Sequence, residues 1–323
     1  MRKLRVPFVV LGFYLAFIAC VTSGCGGKDP APATPPATTP SAKAPDAAAA
    51  PGGGAYKDTI LKLGRIPFTN ATEMVKKHEG LLSYLRQELG VKETRLVLAS
   101  DYKGIIDKLA RGEIDIGWLG TTSYVEALAD PKQKASMRIL VKPRRFKTTS
   151  YRGIIIARGD SGIRNLSDLK GKKIAWVEKD SASGYLFPKA LLLEAGVNPD
   201  KDFAEAGFLG KHDAVVLNVL LGKYDAGACY DDARNTLREK EKINELTILA
   251  STQDISNEPI VCRSDLPEDI IEKIKKAFLK LDIDDPAYKK VLEDCTDVQG
   301  FVTAQDSDYE YVQKVLNLLQ THK

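Results

Sequence analysis

The sequence predicts an α/β protein of two similar lobes joined by a hinge. Three observations carry that prediction. Strand-like and helix-like patterns alternate from residue 59 onward, the order expected of α/β layers. A loop–helix–strand–loop unit occurs twice: Tyr102 stands ten residues before Gly112 and thirteen before Asp115, as His212 stands before Gly222 and Asp225. The chain is also read as crossing between lobes twice, near residues 155–160 and 251–259, and two crossings make a hinge.

The first segment is not part of either lobe. Met1-Arg2-Lys3-Leu4-Arg5 precedes a short apolar run over residues 6–19, which is the pattern of an export signal and is too short to favour a permanent span. Thr22-Ser23-Gly24 precede Cys25, and Gly26-Gly27 come after it. That resembles a bacterial lipoprotein cleavage site with Cys25 as the lipidated residue; Cys20 is the alternative acceptor, and secretion without a lipid is the other reading. Residues 28–54 are almost entirely Pro, Ala, Thr and Gly, a composition that forms an extended tether and not a core. The expected organisation is a signal over 1–24, anchor and tether over 25–54, a first lobe from 55–157 and 256–323, and a second from 158–255.

Each element follows from local pattern. Residues 59–66 alternate apolar and polar up to Pro67, as a strand does. Residues 71–89 carry Leu81, Leu82, Leu85 and Leu89 on one stripe with Gly90 as stop, a helix. Residues 95–99 form a second strand. The first repeat supplies a helix through Ile105, Ile106 and Leu109, a strand after Asp115, and a helix opening at Thr121-Thr122-Ser123-Tyr124. Strands at 138–142 and 153–157 flank Pro143-Arg144-Arg145-Phe146-Lys147, read as a solvated basic loop. The second lobe begins with the strand 174–177, then Asp180-Ser181-Ala182-Ser183-Gly184 and a helix over 185–195 closed by Gly196. The second repeat has Val215, Val216, Val219 and Leu220 on its helix and ends at Tyr230-Asp231-Asp232. A strand at 246–251 comes next, then 258–262 returns to the first lobe, with helices near 267–281 and 309–319. The alternation argues for largely parallel central sheets.

Composition narrows the function classes. Three of the 47 basic residues lie in the signal, leaving 44 against 43 acidic, so the net charge does not point to nucleic acid. Cys229, Cys262 and Cys295 are the cysteines beyond the signal; a Cys262–Cys295 pair is compatible with the sequence but not readable from it. No cysteine–histidine spacing suggests a metal, and no nucleophile elbow, phosphate-binding P-loop or dinucleotide fingerprint is present. An enzyme is therefore disfavoured and no cofactor is implied.

The polar loops point to a ligand. Ser181-Ala182-Ser183-Gly184 joins a strand to a helix, so two hydroxyls, first-turn amides and the positive helix end would meet there, with Gly184 allowing close approach. The plainer reading is that Ser183 only caps the helix. His212 opens a helix at the position matching Tyr102, and as a histidinium it would suit an oxyanion; alone it reads as a surface helix-start residue. His78 and His322 look like solvated residues. Thr121, Thr122 and Tyr124 belong to a second hydroxyl-rich helix start, which capping alone would explain. Asp231, Asp232 and Glu258 are acids near the expected cleft, with capping and solvation as their plain roles. Arg65, at a strand end, offers a cation.

Leu63-Gly64-Arg65-Ile66-Pro67-Phe68, Gly112-Glu113-Ile114-Asp115-Ile116-Gly117-Trp118-Leu119-Gly120, Ser181-Ala182-Ser183-Gly184-Tyr185, Lys211-His212-Asp213-Ala214 and Gly222-Lys223-Tyr224-Asp225-Ala226 occur in an order that resembles the substrate-binding proteins of phosphate, phosphite and phosphonate ABC importers. The resemblance spans about residues 58–315. It implies a type II periplasmic-binding-protein fold: two α/β lobes, each a central mixed sheet flanked by helices, a two-strand hinge, and a ligand in the cleft. The family's oxyanion loop, Ser-Thr-Ser-Gly, falls on Ser181, Ala182, Ser183 and Gly184, with Ala182 replacing the threonine hydroxyl; a hydrogen bond to a charged group contributes roughly 1.5–3 kcal/mol. The family's histidine falls on His212 and its tyrosines on Tyr102 and Tyr124. Acids that meet a ligand amine in some phosphonate binders fall near Asp232 and Glu258.

The expectation is therefore an exported, lipid-anchored, monomeric binding protein for a small phosphorus oxyanion. It would serve a membrane permease whose ATPase is a separate chain. The second lobe would hold the anion and the first would close over it with Tyr102, Thr121, Thr122 and Tyr124. The alternative is a sensing module of the same fold that reports to a membrane receptor or histidine kinase.

Overall fold

The computed structural model describes residues 56–231, 233–237, 239–293, 295 and 297–321. The signal, the tether, Cys20, Cys25, Asp232 and His322 lie outside the described residues.

The first lobe opens with β1 (Ile60–Arg65), α1 (Ala71–Leu89), β2 (Glu93–Leu98), α2 (Gly104–Ala110), β3 (Ile116–Trp118), α3 (Thr121–Ala129), α4 (Pro131–Ala135) and β4 (Met137–Arg145). The chain passes through β5 (Ser150–Tyr151) into the second lobe, which holds β6 (Gly153–Arg158), β7 (Lys173–Trp176), α5 (Phe187–Glu194), β8 (Glu205–Phe208), α6 (His212–Leu220), β9 (Ala226–Tyr230) and β10 (Leu246–Ser251). It returns through β11 (Ile255–Ser256) to β12 (Ile260–Arg263), α7 (Glu268–Lys280), α8 (Pro286–Glu293), β13 (Val298–Thr303) and α9 (Glu310–Thr321). The sheets run β13-β4-β12-β3-β1-β2 and β10-β6-β9-β7-β8, and β5 pairs with β11 in a separate two-stranded ribbon. That ribbon is the hinge.

Both sheets are mixed. β1 is parallel to β2 and β3, and β7 to β8 and β9, while β12, β13, β6 and β10 pair antiparallel. The largely parallel sheets expected from alternation are therefore corrected: helical crossovers force parallel neighbours only within each βαβ run, and strands entering through the hinge come in reversed. The first crossing is corrected too. All of β6 lies in the five-stranded sheet, so residues 153–157 belong to the second lobe and the chain crosses at Ser150–Tyr151. A strand pattern reports pairing and burial, not which sheet supplies the partner. Pro143, Arg144 and Arg145 are not a loop; they end β4 against β13, with Pro143 opposite Phe301.

The repeat has a structural basis. Gly112 and Gly222 take left-handed backbone, φ 70° and 69°, conformations costly for any other residue. Three residues later, Asp115 accepts a hydrogen bond from the Lys62 amide and Asp225 from the Lys173 amide, each at 2.8 Å. The motif thus turns the chain out of a helix and pins the next strand to its parallel neighbour.

Leu81, Leu85 and Leu89 of α1 pack with Ile270, Ile274 and Phe278 of α7 on one face of the first sheet. The helix α9 packs on α3 in the first lobe and α5 in the second, with Tyr311 edge-on to Phe187 at 5.7 Å. Cys229, Cys262 and Cys295 are buried, and no disulfide joins Cys262 to Cys295. Among the described residues no helix is long and apolar enough to cross a membrane.

Candidate functional site

A cavity of about 340 Å³ lies between the lobes and against the hinge. From the second lobe it is lined by Ser181, Ala182, Ser183, His212, Tyr230 and Asp231; from the first and the hinge by Arg65, Phe68, Tyr102, Trp118, Thr121, Arg145, Tyr151, Asn257 and Glu258, among others.

The loop after β7 builds the second-lobe wall. Ser181 is the cap: its Oγ accepts from the Gly184 amide at 3.1 Å, and its carbonyl accepts from both Tyr185 and Leu186. Residues Ala182–Leu186 form a single π-helical turn, a device frequent at functional sites. Among the described residues the amides of Ala182 and Ser183 have no acceptor. These are the orphan donors of a helix start, facing a cavity, and with the helix dipole they suit an anion. Gly184 has another reason. A Cβ there would lie 2.4 Å from Val177 Cγ2, so the glycine lets the loop pack on β7; its amide goes to Ser181, and it does not line the cavity.

His212 is the first residue of α6 and 3% exposed. Its backbone N–H donates to the Phe68 carbonyl of the other lobe at 3.3 Å. Its Nδ1 accepts from the Tyr230 amide at 3.2 Å, so the proton sits on Nε2. Burial lowers its pKa to about 3, with Glu258 opposing. The histidinium expected from the sequence is corrected: His212 is a neutral Nε2–H donor.

In the first lobe, Tyr102 lies over Gly120, where a Cβ would come within 2.6 Å of its ring. Burial pushes the Tyr102 phenol up, while a hydrogen bond with the Ser181 hydroxyl opposes this, so the two lobes meet here. Thr121 lines the cavity and donates to the Ser256 carbonyl of the hinge at 3.2 Å. Tyr151, in the hinge, interacts with the Thr121 and Ser183 hydroxyls. Glu258 also lines the cavity, with its carboxylate paired to Arg145 at 2.6 Å. Burial alone would raise its pKa, but Arg145 and Arg65 hold it below the usual carboxylate range.

Besides Gly184, two more expected residues fall elsewhere. Thr122 is buried behind the wall, where its hydroxyl has no partner among the described residues. Tyr124 donates to Asp306 at 2.6 Å and packs edge-on to Tyr309; successive helix positions rotate by about 100°, so only Thr121 of this helix start reaches the cleft. His78 is not solvated. It is fully buried, with Nδ1 2.7 Å from the Met74 carbonyl and its ring edge-on to Trp118.

The residues that sequence reasoning undervalues are cationic and aromatic. Arg65 ends β1 beside Trp118 at the end of β3 in parallel register. Its guanidinium carbon lies 3.6 Å from the indole ring centroid. Arg145 reads along the chain as a solvated loop residue, yet it carries the ion pair to Glu258. The available signal is position: Arg65 and Trp118 both sit at carboxyl ends of parallel strands, where open α/β sheets place ligands. Among the described residues no group of three or more histidine, cysteine or acidic side chains is arranged for a metal.

The family model for the ABC transporter, phosphonate, periplasmic substrate-binding protein matches residues 63–309. A phosphate-import protein of Mycolicibacterium smegmatis is 27% identical, with 95% of each chain covered. A probable ABC transporter phosphite binding protein of Prochlorococcus marinus is 26% identical over 79% of this chain and 88% of its own. A solved structure from Prochlorococcus marinus in complex with methylphosphonate superposes with a TM-score of 0.72 at 24% identity, covering 81% of this chain and 98% of the other. That likeness shows the two-lobed periplasmic-binding-protein fold.

Proposed function

The chain belongs to the phosphonate-binding family of ABC-transporter periplasmic substrate-binding proteins, which are transport proteins and not enzymes, and from that premise we propose that it captures a small phosphorus oxyanion between its lobes and delivers it to an importer. The observation that carries the reading is the set of donors on one cavity: the orphan amides of Ala182 and Ser183, the His212 Nε2–H, and the Ser181, Ser183 and Tyr102 hydroxyls. These are fixed, largely neutral donors, which replace the water around an anion as the lobes close on the β5–β11 hinge. A micromolar site needs about −8 kcal/mol, and a few hydrogen bonds to a charged group at roughly 1.5–3 kcal/mol each supply it.

Delivery, export and anchoring complete the proposal. The signal-like start and the tether support secretion and lipidation at Cys25, and the permease and its separate ATPase are the partners. Relatives named for phosphate, phosphite and methylphosphonate support the ligand class. The test is a thermal-shift screen of the purified protein with phosphate, phosphite, methylphosphonate, aminoethylphosphonate and sulfate. Ligand that binds only the folded state raises Tm by mass action; a rise with phosphorus oxyanions above that with sulfate is the expected result, and no rise with any of them refutes the reading.

A further inference from the structure

Resting on the phosphorus-oxyanion reading, we infer that the C-terminal helix α9 is a clasp on the oxyanion loop, with Tyr311 as its positioning residue. The helix belongs to the first lobe and reaches the second. It holds the turn over residues 182–186 with its donors toward the cavity, so that closing the lobes and placing the donors are one event.

The start of α9 is fixed to the hinge exit. The Tyr309 hydroxyl donates to the Asn257 carbonyl at 3.0 Å, and Asn257 lines the cavity. Lys142 reaches Asp308 at 3.1 Å and the Ser256 hydroxyl at 3.1 Å. Ser256 ends β11, so α9 is anchored where the chain re-enters the first lobe.

From that base one apolar stripe serves both lobes. Val312, Val315, Leu316 and Leu319 follow helical spacing and are buried. They share a core with Tyr124 and Val125 of the first lobe and with Ala182, Phe187 and Ala190 of the second. The helix α5 is divided between two cores. Its Leu192 belongs to the second lobe's own core, whereas Phe187 and Ala190, one turn apart, lie in the core that α9 builds. The helix α9 packs on the Ala182–Leu186 turn as well as on α5. Leu186 is joined directly to Phe187, whose ring Tyr311 meets edge-on at 5.7 Å.

The consequence is mechanical. The Ala182 and Ser183 amides bind best if the turn is already held, because ordering it on binding costs affinity. The second lobe holds the turn from within by Ser181, which accepts from Gly184, Tyr185 and Leu186. The other side of the turn is covered by a helix from the opposite lobe. A hinge that opened with α9 left behind would uncover Ala182, Phe187 and Ala190, and reburying that apolar surface favours closure. Tyr311 is 43% exposed, at the edge of this contact, so its ring can be removed without emptying a core.

Calorimetry compares inorganic phosphate and methylphosphonate on the wild type, Tyr311→Ala and Tyr311→Phe. In Tyr311→Ala both affinities are expected to fall by the same factor, about threefold or more, as loss of one aromatic pair would give. Tyr311→Phe keeps the ring and stays near wild type. A common factor marks a residue that acts through the loop and not on the ligand. Wild-type affinities in Tyr311→Ala, a fall for one probe alone, or a Tyr311→Phe as weak as the alanine variant overturns the clasp. Hydrogen exchange on the ligand-free proteins is the second readout. The Tyr185 and Leu186 amides, bonded to the Ser181 carbonyl, are expected to exchange faster in Tyr311→Ala than in the wild type, and equal exchange overturns the clasp. If neither probe binds the wild type, the oxyanion reading falls, and exchange alone then decides whether α9 holds the turn.

Discussion

The backbone N–H of Tyr230 donates to Nδ1 of His212 at 3.2 Å. One hydrogen bond from the end of β9 thereby decides which nitrogen of the imidazole carries its proton. The ring is set edge-on to Tyr230 with centroids 4.9 Å apart, and the donor left for the cavity is Nε2–H. An uncharged donor holds an anion without needing acid to charge it.

Replacing that donor tests its place in the site. His212→Ala is expected to weaken oxyanion binding by at least about tenfold, the loss of one hydrogen bond to a charged group, measured by calorimetry with methylphosphonate. Affinity equal to wild type would take His212 out of the site.

Two buried neutral histidines make stability depend on pH. His78 and His212 are held down to about 3, in each case chiefly by burial, against about 6.5 in an unfolded chain. Above pH 6.5 neither state is protonated, and they contribute no slope. As pH falls from about 6.5 toward 3 the unfolded chain gains protons that the folded one refuses, so stability declines by up to about 1.4 kcal/mol per pH unit per histidine. Urea unfolding of the ligand-free protein between about pH 6 and 5 is expected to show this fall, with His78→Leu removing about half the slope. An unchanged slope in that variant would mean His78 already accepts a proton in the fold.

The two tyrosines separate site from scaffold. Tyr124→Phe removes the bond to Asp306 and is expected to cost about 1–2 kcal/mol of stability while ligand affinity stays near wild type. Tyr102→Phe, on the cavity wall, is expected to do the reverse. Unfolding and calorimetry on both variants check the pair; loss of affinity in Tyr124→Phe would place its helix turn differently.

Gly184→Ala should destabilise the fold by more than about 1 kcal/mol, because the new methyl meets Val177 in a packed interior. Val177→Ala added to it should restore part of the loss. A stable single variant, or a double variant no better than the single, would show that the glycine serves something other than this contact.

Much of the site is legible along the chain because its signals are local. A hydroxyl-rich turn between strand and helix, and a repeat that places Tyr102 and His212 at matched positions, need no tertiary contact to be seen. The repeat's glycines and aspartates prove to be scaffold: Asp115 and Asp225 pin strands. What local reading misses depends on which face of an element meets the cavity. Thr121 reaches it, whereas Thr122 and Tyr124 turn into the core.

The sequence by itself determined the alternation of helix and strand, the repeated unit, the hydroxyl-rich loop over residues 181–184 and the family, since each is written in short-range spacing and residue type. Only the tertiary structure decided the hinge position, the mixed sheets, the neutral state of His212 and the buried pairing of Glu258 with Arg145. Those depend on contacts between segments far apart in the chain, where burial and a partner's charge reset what a side chain does. Arg65 shows both levels: its place at a strand end is sequence, but its burial beside Trp118, with Nε and Nη1 left without acceptors among the described residues, exists only once β1 and β3 stand side by side.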